Sequence, residues 1–267
     1  MAGAALPLAG RRIVVTRPAG QAASLARAIA AAGGEALVFP VIEIAPVSDP
    51  VELAAATAEL ERFQLAFFVS PNAVEQALGY ILPRRAWPPA LVLSTVGKGS
   101  EAALARAGFH EVVAPASGFD SEAVLALPEF QPEAVAGREV VIFRGDGGRD
   151  LLGETLLQRG AQVRYVTCYQ RRIPAADPSQ LLAAARQGRL DALVLTSSEG
   201  VGNLLAMVGA AGRRDLAGVP VFVPHPRIAE AVRQAGLGPV VLTGPGDAGV
   251  MAALATHWNP PSVKIPG

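Results

Sequence analysis

Six short turns carry most of the polar chemistry in this chain: TRPAG (16–20), SPNA (70–73), VGKGS (96–100), FRGDGG (143–148), TSSEG (196–200) and VPHPR (223–227). Each follows an apolar run of strand length and opens a helical pattern. A helix start presents unpaired N–H groups and the positive end of the backbone dipole, a ready place for an anion. Ser70, Ser100, Ser197 and Ser198 add hydroxyls; Arg17, Lys98, Arg144 and Arg227 add cations; Asn72 and Gly145 lie in the same turns. His225 sits beside Arg227 at a strand end, where it faces a ligand or simply starts a helix. Any one of these residues alone reads as an ordinary cap, turn or solvated charge. The set, repeated in both halves of the chain, reads as an anion-binding apparatus in duplicate, beyond the carboxyl ends of a parallel sheet.

The glycine turn after VVIF invites a nucleotide reading, which its details oppose. Gly145, Gly147 and Gly148 are followed by Asp150 where a dinucleotide fingerprint has its third glycine. Asp146 would repel a pyrophosphate, and no GxxxxGK[ST] occurs. There is no GxSxG elbow, no HExxH and no paired carboxylates of glycosidase type. The chemistry expected is one in which positioning and electrostatics dominate. Tyr169, in CYQRR, is the residue best suited to hand a proton to a leaving group; it also reads as a half-buried linker tyrosine. Cys168 alternates with it along an extended run and is expected to point the other way, into packing. Ser121 is expected to cap a helix, with Asp120 beside it.

Those residues need elements to hold them. IVVT (13–16) precedes a helical pattern with Ala22, Leu25 and Ile29 on one face, stopped by Gly33-Gly34. ALVF, LAFFVS, LVLST and VVAP follow as further apolar runs, with Asp49-Pro50 as an N-cap and first-turn pair between them. Runs apolar at consecutive positions and alternating with helices predict a parallel sheet covered on both faces. The pattern then restarts. GRRIVVTRPAG at Gly10 returns as GREVVIFRGDG at Gly137, an offset of 137 − 10 = 127 that also carries Arg17 onto Arg144, Leu25 onto Leu152, Gly33 onto Gly160 and Ser70 onto Ser197. A register held within one residue along the chain indicates internal duplication, hence two α/β domains. They are either contiguous or related by exchange of the first βα unit. The extended runs PVIEIAP (40–46) and VTCYQRRIP (166–174) could pair as a connector.

Composition narrows the partners. The 267 residues hold 23 Lys plus Arg against 23 Asp plus Glu, with 5% aromatics, a poor balance for nucleic acid. The lone Cys168 excludes an internal disulfide, and three separated histidines give no metal-ligand spacing. No leader or membrane span is read, so a cytoplasmic protein is expected. A periplasmic-type receptor would call for such a leader. A nucleotide-dependent enzyme remains the other rival.

The ordered series IVVTRPAGQ, FFVSPNAV, VGKGSEAAL, GREVVIFRGDGGRDLLGETLLQRGA, YQRR, LVLTSSEGV and VPHPRIAEAVRQAG resembles the uroporphyrinogen-III synthase family over about Gly10 to Ala255. The resemblance implies two flavodoxin-like domains joined by a two-stranded connector. Residues 1–40 with 174–258 would form domain one, 47–166 domain two, 41–46 and 167–173 the connector, and 259–267 a loose tail. It implies a cytoplasmic, cofactor-free and metal-free monomeric lyase. The reaction would cyclise the linear tetrapyrrole hydroxymethylbilane with loss of water and inversion of ring D. Tyr169 matches the family tyrosine proposed to assist loss of hydroxide, and Ser70, Ser100, Ser197 and Arg227 fall in motifs that line the family's cleft. Ser100 stands where many members have threonine, and Arg227 where others have a hydroxyl.

Overall fold

The computed structural model describes residues 6–147 and 150–259. Gly148 of the glycine turn, residues 1–5 and all but the first residue of the 259–267 tail lie outside the described residues. In chain order the strands are β1 (Arg12–Val15), β2 (Glu35–Val38), β3 (Glu43–Pro46), β4 (Leu65–Phe68), β5 (Val92–Thr95), β6 (Glu139–Gly145), β7 (Gln162–Arg172), β8 (Ala192–Val194), β9 (Val221–Val223) and β10 (Val240–Leu242). The helices are α1 (Ala19–Ala31), α2 (Val51–Ala58), α3 (Pro71–Ile81), α4 (Lys98–Arg106), α5 (Ser121–Leu125), α6 (Pro132–Val135), α7 (Leu151–Gln158), α8 (Ser179–Arg186), α9 (Ser198–Leu216), α10 (Pro226–Gln234) and α11 (Gly246–Trp258). They divide into two compact units, residues 1–43 with 172–267, and residues 44–171.

The first unit holds a sheet in the order β10-β9-β8-β1-β2, parallel at every pairing. Its strands are apolar at consecutive positions because both faces are covered. Ile13, Val15, Ala192, Val194 and Phe222 pack with Leu25, Ile29, Val250 and Leu254 of α1 and α11. Val14, Leu193, Val221 and Val223 pack on the opposite face with Leu181, Leu204 and Val232 of α8, α9 and α10. Numbering these five strands along the chain gives the spatial order 2-1-3-4-5.

The second unit holds a sheet in the order β3-β7-β6-β4-β5. Counted from β6, the strands β6, β7, β4 and β5 repeat the neighbours of the first unit, with β3 added outside β7. Leu65, Phe67, Val140 and Ile142 meet Val124, Phe130, Leu152 and Leu156 on one face. Ala66, Phe68, Val141 and Phe143 meet Leu53, Leu78, Ile81 and Leu104 on the other. Phe68 and Phe143 stack at 4.9 Å and 19° across neighbouring strands, which fixes the register of β4 on β6.

Gly33 and Gly160 both adopt left-handed backbone, at φ +86° and +85°, directly after α1 and α7. A side chain there would meet the Cβ penalty that glycine avoids, so each stops its helix. Three local expectations change. VVAP (112–115) makes only a bridge, Val113 to Ser94, since Pro115 has no N–H with which to extend a ladder. The cap of α5 is Asp120, whose carboxylate accepts from Ala123 N–H at 2.8 Å, and Ser121 is the first helical residue. Pro50, not Asp49, occupies the cap position of α2.

The aromatic pair on the β4–β6 core gives a stability prediction. Phe143→Ala removes a fully buried ring and should destabilise the second unit by about 3–5 kcal/mol in chemical denaturation. Phe119→Ala, at a side chain 57% exposed, should stay within about 0.5 kcal/mol. Equal losses would contradict the placement of the core.

Candidate functional site

In the second unit the carboxyl ends of β4, β6 and β7 surround a cavity of about 230 Å³. Ser70, Ser121, Arg144, Tyr169 and Arg171 supply its polar wall, over a floor of Phe67, Val69, Ile142 and Leu152. Ser70 is the N-cap of α3: its Oγ accepts from Ala73 N–H at 3.2 Å and lies 3.3 Å from the Tyr169 hydroxyl. Arg171 lies over the Tyr169 ring, 6.0 Å from its centroid. Arg144 is only 15% exposed; its Nη1 donates to Asp150 at 2.6 Å, and its guanidinium lies 4.9 Å from the centre of the Tyr165 ring. Burial, then the charge of Asp150, raise the Tyr165 phenol above its ordinary range. The cavity thus joins four hydroxyl-bearing residues, Ser70, Ser121, Tyr165 and Tyr169, to two arginines, a set that can accept a carboxylate-bearing arm.

Tyr169 reaches this position through an irregularity. β6 and β7 pair residue for residue from Glu139↔Gln162 to Arg144↔Thr167, but the next pair is Gly145↔Tyr169. Cys168 is the extra residue of a bulge. Strict alternation would place Cys168 and Tyr169 on opposite faces; the bulge packs both into the same core, with Val166. The expectation that Cys168 points away from Tyr169 is therefore corrected. Burial pushes the Cys168 thiol up to about 12, and its S–H faces the Arg144 carbonyl at 3.2 Å.

The other residues singled out from the sequence divide by unit. Lys98 is exposed and donates to Glu101 at 3.0 Å, a surface pair of the helix itself. Ser100 is buried, 2% exposed, in the first turn of α4. Asn72 lies in the first turn of α3 and Gly145 ends β6. In the first unit, Arg17 is paired with Asp247 of α11. Ser197 caps α9 by accepting from Gly200 N–H at 2.9 Å, and the neighbouring Ser198 Oγ is buried with no partner among the described residues. His225 caps α10, its Nδ1 accepting from Arg227 N–H at 3.1 Å, with both residues exposed. The structure therefore brings Ser70, Arg144, Gly145 and Tyr169 together, and places Arg17, Ser197, Ser198, His225 and Arg227 at the corresponding strand ends of the other unit.

Arg171, Tyr165 and the aspartates at 150 and 247 were not singled out as site residues. Arg171 stood in YQRR as the flank of Tyr169, and only the bulge shows which residue it accompanies. Asp150 and Asp247 reveal a shared device: Arg144 and Arg17 each hold an aspartate from the start of a helix. Among the described residues no group of His, Cys, Asp or Glu could hold a metal ion, and no helix is long and apolar enough to cross a membrane.

The fold is that of an α/β protein, and in its second unit a polar-walled cavity lies at the carboxyl ends of the strands, the end at which open α/β sheets bind ligands. The family model described as Uroporphyrinogen-III synthase HemD matches residues 23–249. The uroporphyrinogen-III synthase of Escherichia coli (strain K12) is 31% identical, over 84% of this chain and 91% of its own. That of Salmonella typhimurium is 35% identical over 70% of this chain and 76% of its own. The chain belongs to the uroporphyrinogen-III synthase family. A crystal structure of a mutant uroporphyrinogen III synthase from Thermus thermophilus shares the fold with a TM-score of 0.54 at 20% identity, covering 91% of this chain and 96% of that one. Another from Helicobacter pylori gives 0.54 at 14% identity, covering 92% and 99%.

The thiol offers a direct check on the bulge. Cys168, held protonated by burial, should react with Ellman's reagent at pH 8 at least about 10²-fold more slowly in native than in denatured protein. Because its folded pKa is raised, its stabilising contribution is complete below the unfolded pKa and lost as pH climbs towards about 12. The wild-type protein should therefore lose more stability than Cys168→Ala between about pH 9 and 11; parallel curves would contradict the burial.

Proposed function

We propose that this chain converts hydroxymethylbilane to uroporphyrinogen III as a cofactor-independent lyase, a cytoplasmic monomer. The observation that carries the proposal is the hydroxyl pair of Tyr169 and Ser70 facing an arginine-bearing cavity at the strand ends. The substrate is a linear tetrapyrrole bearing an acetate and a propionate on every ring. Ser70, Asn72, Lys98, Ser100 and Arg144 in one unit, and Arg17, Ser197, Ser198, His225 and Arg227 in the other, are proposed to hold such a polyanion.

Tyr169 hands its proton to the departing hydroxyl of the terminal hydroxymethyl group, so that water leaves; the N–H of that pyrrole gives up its proton, which re-forms the phenol, and an azafulvene electrophile results. The pyrrole at the far end attacks through its substituted carbon and gives a spiro intermediate. That intermediate fragments and recloses with ring D inverted. Unassisted bilane closes to the uninverted isomer I, so the protein has to steer the folded chain as well as accelerate loss of water. A hydroxyl suits the first step: it stays protonated at neutral pH and adds no negative charge beside a polycarboxylate.

The two units are proposed to be the duplicated, flavodoxin-like domains of the family. Their shared strand neighbours support this, as do the left-handed glycines at 33 and 160, the capping serines at 70 and 197, and the aspartate-paired arginines at 17 and 144. Residues 41–46 and 167–173 are the proposed connector. β3 lies beside β7 in the sheet, and β7 runs unbroken from the domain into that segment.

Hydroxymethylbilane generated in situ, followed by acid oxidation and chromatographic separation of the uroporphyrins, tests the activity. Predominantly isomer III is expected; isomer I alone, at the rate without protein, would refute it. If Arg171 receives a substrate carboxylate, Arg171→Ala should raise KM about tenfold and change kcat less, as loss of one charge-assisted contact implies. An unchanged KM would remove Arg171 from substrate binding.

A further inference from the structure

We propose that Gly145 and Asp146 are positioning residues: they form a clasp that holds Tyr169 against Ser70, rather than contacts for an anion. This rests on Tyr169 being the proton donor. Gly145 lies opposite Tyr169 at the bulge, and a Cβ built on Gly145 would sit 2.6 Å from Tyr169 Cζ and 3.0 Å from its hydroxyl. Both residues are buried, so the ring has little freedom to yield. Gly145 does not have a positive φ; what the position requires is space, not left-handed backbone.

Asp146 closes the clasp from the other side. Its backbone N–H donates to the Tyr169 carbonyl at 3.1 Å. Its carboxylate accepts from the Arg171 backbone N–H, 3.3 Å from each oxygen. A bridge between Gly145 and Gly147 tightens the turn around it. The turn thus grips β7 at Tyr169 and again two residues later, where the bulge has broken the regular ladder. The role explains two features that suited a phosphate loop poorly. One is a carboxylate in the middle of the turn, and the other is a first glycine with ordinary φ. It also explains why a tyrosine that leaves the strand's alternation keeps a fixed orientation, as proton transfer over hydrogen-bond distances demands.

The experiment uses the full chain with variants Gly145→Ala, Asp146→Ala and Asp146→Asn, alone and combined with Tyr169→Phe. Gly145→Ala and Asp146→Ala should lower kcat by at least about tenfold with KM within about threefold, the product remaining isomer III. Asp146→Asn keeps an oxygen acceptor for Arg171 N–H and should restore most of the rate. In the Tyr169→Phe background each clasp substitution should cost less than about threefold more, because both changes disable one proton transfer. Additive losses, a raised KM with kcat intact, or Asp146→Asn as slow as Asp146→Ala would overturn the clasp. A readout free of activity separates this from the synthase reading. In protein carrying ring-labelled tyrosine, the Tyr169 resonance should move in Gly145→Ala and Asp146→Ala and stay near its native position in Asp146→Asn. If wild-type protein makes no isomer III yet the resonances behave so, the catalytic reading fails and the clasp stands. If wild-type protein is active and the Tyr169 resonance is unmoved in all three, the clasp fails alone.

Discussion

The extra residue in β7 opposite the Arg144–Gly145 step governs the second unit's site. A parallel strand buried on both faces offers side chains alternately to two apolar layers, and neither layer suits a hydroxyl intended for chemistry. One inserted residue re-aims the strand after Thr167. Val166, Cys168 and Tyr169 then share a face, and the phenol reaches the cap of α3. The same insertion breaks the backbone ladder where the glycine turn can take it up. Bulges are common where a sheet must present a side chain, and this one lies at the carboxyl end where ligands of open α/β sheets bind.

The paired arginines bear on what the strand-end turns do. Read from the sequence, Arg17 and Arg144 are cations waiting for an anion. In the structure each already holds an aspartate from the start of a helix. Partly exposed pairs of this kind add little stability. They do keep a long side chain in place and set a negative charge beside its positive one. The backbone N–H groups and hydroxyls at the helix starts carry no such counter-charge and suit many carboxylates in varied poses.

Much of this architecture was legible in the sequence because it follows from periodicity. Consecutive apolar runs gave the buried strands, steps of three and four gave α1, and Gly33 and Gly160 marked helix ends that the backbone confirms. The capping roles of Ser70 and Ser197 followed from their place between strand and helix. Illegible features were those set by one residue or by tertiary contact. Cys168 and Tyr169 looked like ordinary alternation, because a bulge leaves no trace in hydropathy. VVAP looked like a strand, yet Pro115 prevents the ladder. Asp120 took the cap expected of Ser121, a shift of one residue that short polar side chains allow at little cost. The partners of Arg17 and Arg144 come from helix starts in different parts of their units, 230 and 6 residues away, so the repeat could not reveal them.

One buried hydroxyl, that of Tyr169, aimed by a bulge, is proposed to deliver the proton that opens the reaction. Single-turnover kinetics of Tyr169→Phe with freshly generated bilane test it most directly, since product release does not enter. The expected result is a slowing of about 10²-fold, the lower end of a general acid's contribution, with the surviving product still isomer III. A variant that turns over within about threefold of the wild-type rate would contradict it and leave steering by the strand-end turns as the whole of catalysis.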